Sequence, residues 1–106
     1  MSKFMRMLVF FDLPVKTKAE RRSATAFRNF LLKDGYHMVQ YSVYARVCNG
    51  MDAVKKHENR LNTVLPANGS IRLLVITEKQ YESIRILIGE LVEEEQFSKD
   101  DQLSVF

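Results

Sequence analysis

At 106 residues the chain is long enough for one small domain and too short for two, and 46% hydrophobic residues supply a packed core. A net charge of +3 permits an anionic partner without demanding one. The single cysteine, Cys48, excludes an internal disulfide and a cysteine-based zinc site, and fits a reducing cytoplasm.

The N-terminal MSKFMRMLVFF lacks a small-residue cleavage site, and its apolar run is broken by Arg6 and stopped by Asp12. It reads as neither a signal peptide nor a membrane span. Residues 4–11 are nearly all apolar and are followed by Pro14, the pattern of a central strand covered on both faces. Thr17 and Glu20 have the spacing of a capping box, so a helix starts there. Ala26, Phe27, Phe30 and Leu31 form its expected buried stripe, with Arg21, Thr25 and Arg28 on a solvated face. Gly35 ends it, because glycine takes the left-handed conformation at a helix C-terminus without penalty.

From 37 to 47, Val39, Tyr41, Val43, Ala45 and Val47 alternate with Met38, Gln40, Ser42, Tyr44 and Arg46. This is strand periodicity in a segment too long for one strand, so a bulge or tight hairpin is expected near 40–42. Asn49-Gly50 marks a turn. Met51, Val54, Leu61 and Leu65 outline a second helix, with Asp52 as its cap and Pro66 as its limit. Asn68-Gly69 turns into SIRLLVIT, a further strand. The order is that of a ferredoxin-like βαββαβ fold, an α+β sandwich with its helices on one face of an antiparallel sheet. Past residue 77, Tyr81, Ile84, Ile88 and Leu91 suit a helix, and Ile84 to Ile88 equally suit a short strand. The reading is one domain over 1–106, with a core over 1–85 and a C-terminal extension over 86–106 that carries a terminal strand in QLSVF.

Four motifs in this order resemble the CRISPR-associated Cas2 family: FDLP after the first strand, KAERR at the helix start, QYSVY, and VITEKQY before a short terminal strand. The similarity is to members from systems with a single large effector nuclease (type II-like), and it runs from Met5 to about Phe106. The resemblance implies a two-fold homodimer joined through its sheets, with Tyr44, Leu103, Val105 and Phe106 at the dimer or partner interface. It implies an adaptation protein that holds double-stranded prespacer DNA by its backbone and bridges dimers of the CRISPR integrase for insertion of spacers into the array. It also implies, for some relatives, a magnesium-dependent endonuclease whose metal ligand and catalytic acid carries over to Asp12. Two departures stand out. Many relatives have Tyr before that Asp, and this chain has Phe11. Many have Phe-Glu after Ser-Val, and this chain has Tyr44 and Ala45.

On the residues alone, Asp12 reads as an ordinary loop acid ahead of a ligand, since no second acid stands near it in sequence, and the resemblance brings the metal ligand level with it. Magnesium takes one or two carboxylates plus waters and phosphates, so a two-fold axis beside Asp12 would complete a site. Lys16, Lys18, Arg21, Arg22 and Arg28 suit phosphate contacts or a plain solvated helix face. Arg46 joins the nucleic-acid candidates from the more polar strand face. His37 and His57 are isolated and suggest no zinc. The competing functional readings are a stand-alone metal-dependent nuclease acting on RNA or DNA, and a toxin-like or regulatory module that shares only the fold.

Overall fold

A computed structural model of the protein describes residues 3–88. The elements run β1 (Phe4–Asp12), α1 (Lys18–Lys33), β2 (His37–Gln40), β3 (Val43–Asn49), α2 (Met51–Asn62), β4 (Ser70–Thr77) and α3 (Glu78–Glu82). The strands form one antiparallel sheet in the order β2-β3-β1-β4. This is the ferredoxin-like arrangement, and the most apolar strand is central, as its composition requires.

Strand alternation divides β1 between two faces. Met7, Val9 and Phe11 join Phe27 and Leu31 of α1 and Val54 and Leu61 of α2 in the main core. The Phe11 ring meets Phe27 edge-on at 5.3 Å between centroids. Both long helices therefore cover the same side. On the opposite side Leu8 pairs across to Ala45 on β3 and Leu74 on β4. Leu8 and Ala45 are buried there, whereas Phe10, Val47 and Leu74 are 37%, 44% and 48% exposed. Among the described residues this outer face carries no long helix, so the expected cover of β1 is complete on the helical face and, on the outer face, holds at Leu8 and not at Phe10.

The capping box forms as read: Glu20 N–H donates to the Thr17 hydroxyl and Thr17 N–H to the Glu20 carboxylate, both at 3.0 Å. The buried stripe of α1 is Ala24, Phe27 and Leu31 with Phe30 partly covered, whereas Ala26 faces solvent. Small Ala26 fits either face, and the helix phase set by Phe27 and Leu31 decides against it. The helix ends in a Schellman motif, with Tyr36 N–H donating to Leu31 O and Gly35 N–H to Leu32 O. Gly35 has φ +93°. The doubtful stretch resolves into a hairpin of β2 and β3, with a register shift between Met38 and Gln40 and Ser42 at φ +65°.

Asp52 lies inside the first turn of α2, and Gly50 occupies the cap position without a side-chain bond. The buried stripe of α2 is Val54, His57 and Leu61, while Met51 and Leu65 are exposed. The strand 70–77 ends at a second capping box, Thr77 with Gln80, which starts the single turn of α3. Residues 83–88 have no helix or strand. Arg6, on the outer face of β1, holds α3 in place: its Nε and Nη2 donate to the Glu78 carboxylate at 2.6 and 3.0 Å, and its guanidinium lies 4.2 Å from the Tyr81 ring centroid. Among the described residues no helix is long and apolar enough to cross a membrane.

Candidate nucleic-acid interface

Asp12 is the last residue of β1, opposite Ser70 of β4, and its side chain is exposed at the end of the outer face. Its carboxylate makes no hydrogen bond or ion pair among the described residues, and no group of three or more His, Cys, Asp or Glu there could hold a metal ion. Among the described residues Asp12 thus stands outside any such group, and a magnesium site that takes one or two carboxylates with waters and phosphates would draw its other ligands from elsewhere.

The basic residues sort into two groups. Lys18 and Arg22 stand with Thr25, Ala26 and Asn29 around an open groove along α1, and no acid lines it among the described residues. Positions 18, 22, 25 and 29 follow helical spacing, almost opposite the buried stripe, and span about 16 Å of helix. The sole acid in the first turn, Glu20, is occupied: its carboxylate accepts from the backbone N–H of Lys16 and Thr17. Among the described residues the groove therefore carries cationic and neutral polar side chains with no carboxylate opposing them. Arg21 borders it, yet its Nη1 donates to Val15 O and Lys16 O at 3.1 and 3.0 Å, which ties down the β1–α1 loop. Arg28 is half-buried and does not line the groove.

Arg46 belongs elsewhere. It projects to the helical side of β3, where Nη1 donates to the Asp34 carbonyl and Nε to Val47 O. Its guanidinium also lies 5.9 Å from the Tyr36 ring centroid. Arg46, expected among the phosphate-binding residues, ties β3 to the end of α1 in this chain. Around it, His57 Nδ1–H donates to Asp34 Oδ2 at 2.8 Å, and Arg60 Nη1 donates to Asp34 Oδ1 at 2.8 Å. Burial alone would raise the Asp34 carboxyl. The hydrogen bonds and charges of His57 and Arg60 together outweigh it and hold the group below its ordinary range. Burial, assisted by the Asp34 charge, pushes the neighbouring Tyr36 phenol upward.

Tyr44, expected at the dimer or partner interface, is 5% exposed and packs 5.5 Å from Phe11 in the core of its own chain. The alternation that sends Val43, Ala45 and Val47 outward sends Tyr44 inward. Tyr41, at the hairpin tip, is 86% exposed. Leu103, Val105 and Phe106 lie outside the described residues. The sequence reading missed Thr25 and Asn29 as part of the groove, although their spacing from Lys18 and Arg22 was visible. It also missed the assembly of Asp34, Arg46, His57 and Arg60, which no local pattern joins.

The sequence model of the family described as CRISPR associated protein Cas2 matches residues 5–84. A protein of Acidovorax ebreus named CRISPR-associated endoribonuclease Cas2 is 53% identical over 102 residues, covering 96% of this chain and all of that one. Proteins of the same name from Campylobacter jejuni and Ligilactobacillus salivarius are 42% and 41% identical, covering 98% and 85% of this chain and 73% and 89% of theirs. A solved structure titled "Crystal structure of cas2" superposes with a TM-score of 0.60 at 18% identity, over 85% of this chain and 92% of that one, and so shares the fold. With the ferredoxin-like sheet in place and these matches spanning the described core and beyond, the chain belongs to the Cas2 family of CRISPR-associated proteins.

Proposed function

We propose that the protein is a CRISPR adaptation scaffold: a homodimer that holds double-stranded prespacer DNA by its backbone and bridges integrase dimers during spacer insertion. The observation that carries this reading is the groove of α1, with Lys18, Arg22, Thr25 and Asn29 on one exposed stripe and no acid among its described lining residues. Such a stripe meets phosphates along a strand and reads no base edges, which suits a binder of arbitrary sequence. The exposed apolar residues of the outer sheet face, Phe10, Val47 and Leu74, suit the second copy, since a small domain gains most by burying such a face.

A second reading is favoured by the relatives' name, endoribonuclease, and by the Asp12 carboxylate, which has no partner among the described residues. In it, Asp12 from two copies would hold a magnesium ion, which when bound polarises a phosphodiester and activates a water. The test is spacer acquisition in cells that carry the matching array, with variants at equal abundance. The scaffold reading expects normal acquisition by Asp12→Ala and loss in the folded double variant Lys18→Glu, Arg22→Glu. Acquisition that fails in Asp12→Ala and survives the double charge reversal would sink it and leave the nuclease.

A further inference from the structure

Of the chain's four tyrosines, Tyr36 and Tyr44 lie in the core and Tyr81 lies against the Arg6 guanidinium. Tyr41 is 86% exposed, and its side chain makes no hydrogen bond or ring contact among the described residues. It stands in the two-residue turn Tyr41-Ser42, which the pair Gln40 and Val43 closes. Such turns favour glycine or asparagine, because the twist of the strands calls for a left-handed backbone at the first central residue. Here the left-handed residue is the second, Ser42 at φ +65°, and no other non-glycine residue has a positive φ among the described residues. A bulky aromatic at the tip, followed by a serine in a sparsely populated conformation, is a choice that turn chemistry does not explain.

We propose that Tyr41 is a stacking platform for one unpaired base of a single-stranded nucleic acid led past the end of β1. The inference rests on reading the chain as a nucleic-acid binder. It goes beyond the scaffold reading, because a duplex keeps its bases stacked within itself and offers the ring none. Position supports it. Phe11 N–H donates to Ser42 O at 3.0 Å, which pins the tip against the end of β1, where Asp12 stands. Arg72 lies opposite Phe10 on β4, exposed and without a hydrogen bond or ion pair among the described residues. One pair back from Asp12 on the outer face, it offers a cation to a phosphate of the same strand. One end of the sheet thus carries a flat ring, an acid and an arginine within reach of one ligand.

The surroundings of the ring favour a base over a second copy of the chain. Gln40, Ser42 and Asp12 beside it are polar and exposed, whereas the apolar residues that suit a second copy, Phe10, Val47 and Leu74, lie along the outer sheet face. A ring rimmed by polar groups matches a ligand with a π-face and hydrogen-bonding edges, as a nucleobase has. Stacking is also the attraction that works beside Asp12, whose charge repels a bare phosphate and leaves a neutral ring contact untouched. Since every base has a π-face, the platform accepts any sequence. The contact is not ionic, so its contribution persists at salt concentrations that weaken binding to the α1 groove.

The chain contains no tryptophan, so Tyr41→Trp installs a single indole at the tip. The full chain, carrying Asp12→Asn to exclude cleavage, is titrated with a short RNA strand, a DNA strand of the same sequence, the blunt duplex and inorganic polyphosphate. Expected is quenching of the indole emission by the single strands and not by duplex or polyphosphate. Tyr41→Ala should lower single-strand affinity at least about fivefold, by the same factor at every salt concentration, with Tyr41→Phe within about twofold of the parent. Duplex affinity should be unchanged in both. Quenching by RNA alone or by DNA alone supports the proposal and identifies the strand. A silent indole in a protein that binds the single strands, equal quenching by duplex or polyphosphate, or an emission already blue-shifted in the free protein and unmoved by any strand would each overturn it. Duplex binding with no response to single strands would overturn the stacking alone and leave the scaffold standing. A protein that binds none of the four probes would refute the nucleic-acid reading itself.

Discussion

Removing the Asp34 side chain tests whether the cluster at the end of α1 joins the two helices to the sheet. Asp34→Ala takes away the acceptor of His57 and Arg60 and leaves the donors without it. The Asp34 side chain is 7% exposed and that of His57 is 9% exposed, so their bond is shielded, and a hydrogen bond to a charged group there is worth about 1.5–3 kcal/mol. Arg60 is 49% exposed, so its bond is discounted to about 0.5–1 kcal/mol. The expected loss is about 2–4 kcal/mol, or a fall in Tm on the order of 10–25 °C for a domain of this size. Urea unfolding followed by circular dichroism measures it. The pH dependence has a definite sign. The folded carboxyl is held below its unfolded value, so its contribution is fully present above the unfolded pKa of about 3.9 and is lost as pH falls through the lower folded pKa. The gap between wild type and variant should be constant from pH 5 upward to about pH 6 and close in acid. A loss below about 0.5 kcal/mol at neutral pH, or a gap unchanged in acid, would refute the account.

Other substitutions examine single steps of the same reasoning. Thr17→Ala removes the α1 cap and should cost about 1 kcal/mol in urea unfolding, with Glu20→Ala non-additive because the box is reciprocal. Gly35→Ala meets two obstacles, a backbone at φ +93° and an Arg46 Nη1 only 2.7 Å from the added Cβ, so it should destabilise by about 1–3 kcal/mol. The Arg46→Ala background should relieve the second obstacle alone. Asp12→Ala should leave stability within about 0.5 kcal/mol, since the carboxylate is exposed and makes no bond among the described residues.

The parts of the fold that could be read from sequence are those fixed by local chemistry. The capping box at Thr17, the stop at Gly35 and the strand 70–77 each depend on a few adjacent side chains, and each is present where its pattern stands. Misplacements occur where a pattern is compatible with two phases. Ala26 fits a core or a surface, and the helix register is decided by Phe27 and Leu31. The hairpin at 41–42 depends on Ser42 accepting a left-handed backbone, which its residue type does not announce. The site divides in the same way. Lys18 and Arg22 were visible because they are close in sequence. Arg46 and Asp34 lie 12 residues apart, and His57 lies a further 11 beyond Arg46, so only the folded sheet shows that their charges are mutually engaged.

The partition of β1 between two faces also separates the two proposed activities. The α1 groove lies on the helical layer, while Asp12 stands at the end of the outer face, in line with Phe10 and Leu8. If two copies join through that outer face, any metal site shared by two Asp12 residues depends on the dimer, whereas each α1 groove is complete within one chain. Leu74→Asp places a charge on the 48% exposed position at the middle of the face, opposite Leu8. Burying it against a second copy would cost several kcal/mol, enough to yield a folded monomer. That monomer should keep duplex binding with a shallower dependence on salt, because it neutralises about half as many phosphates, and should lose any magnesium-dependent cleavage entirely. Light scattering reports the oligomer, and anisotropy titrations at several salt concentrations report the slope. A Leu74→Asp monomer that still cleaves would show that one Asp12 suffices. A variant that stays dimeric would show that the copies meet through some other surface, and Asp12 would then have no reason to find its counterpart.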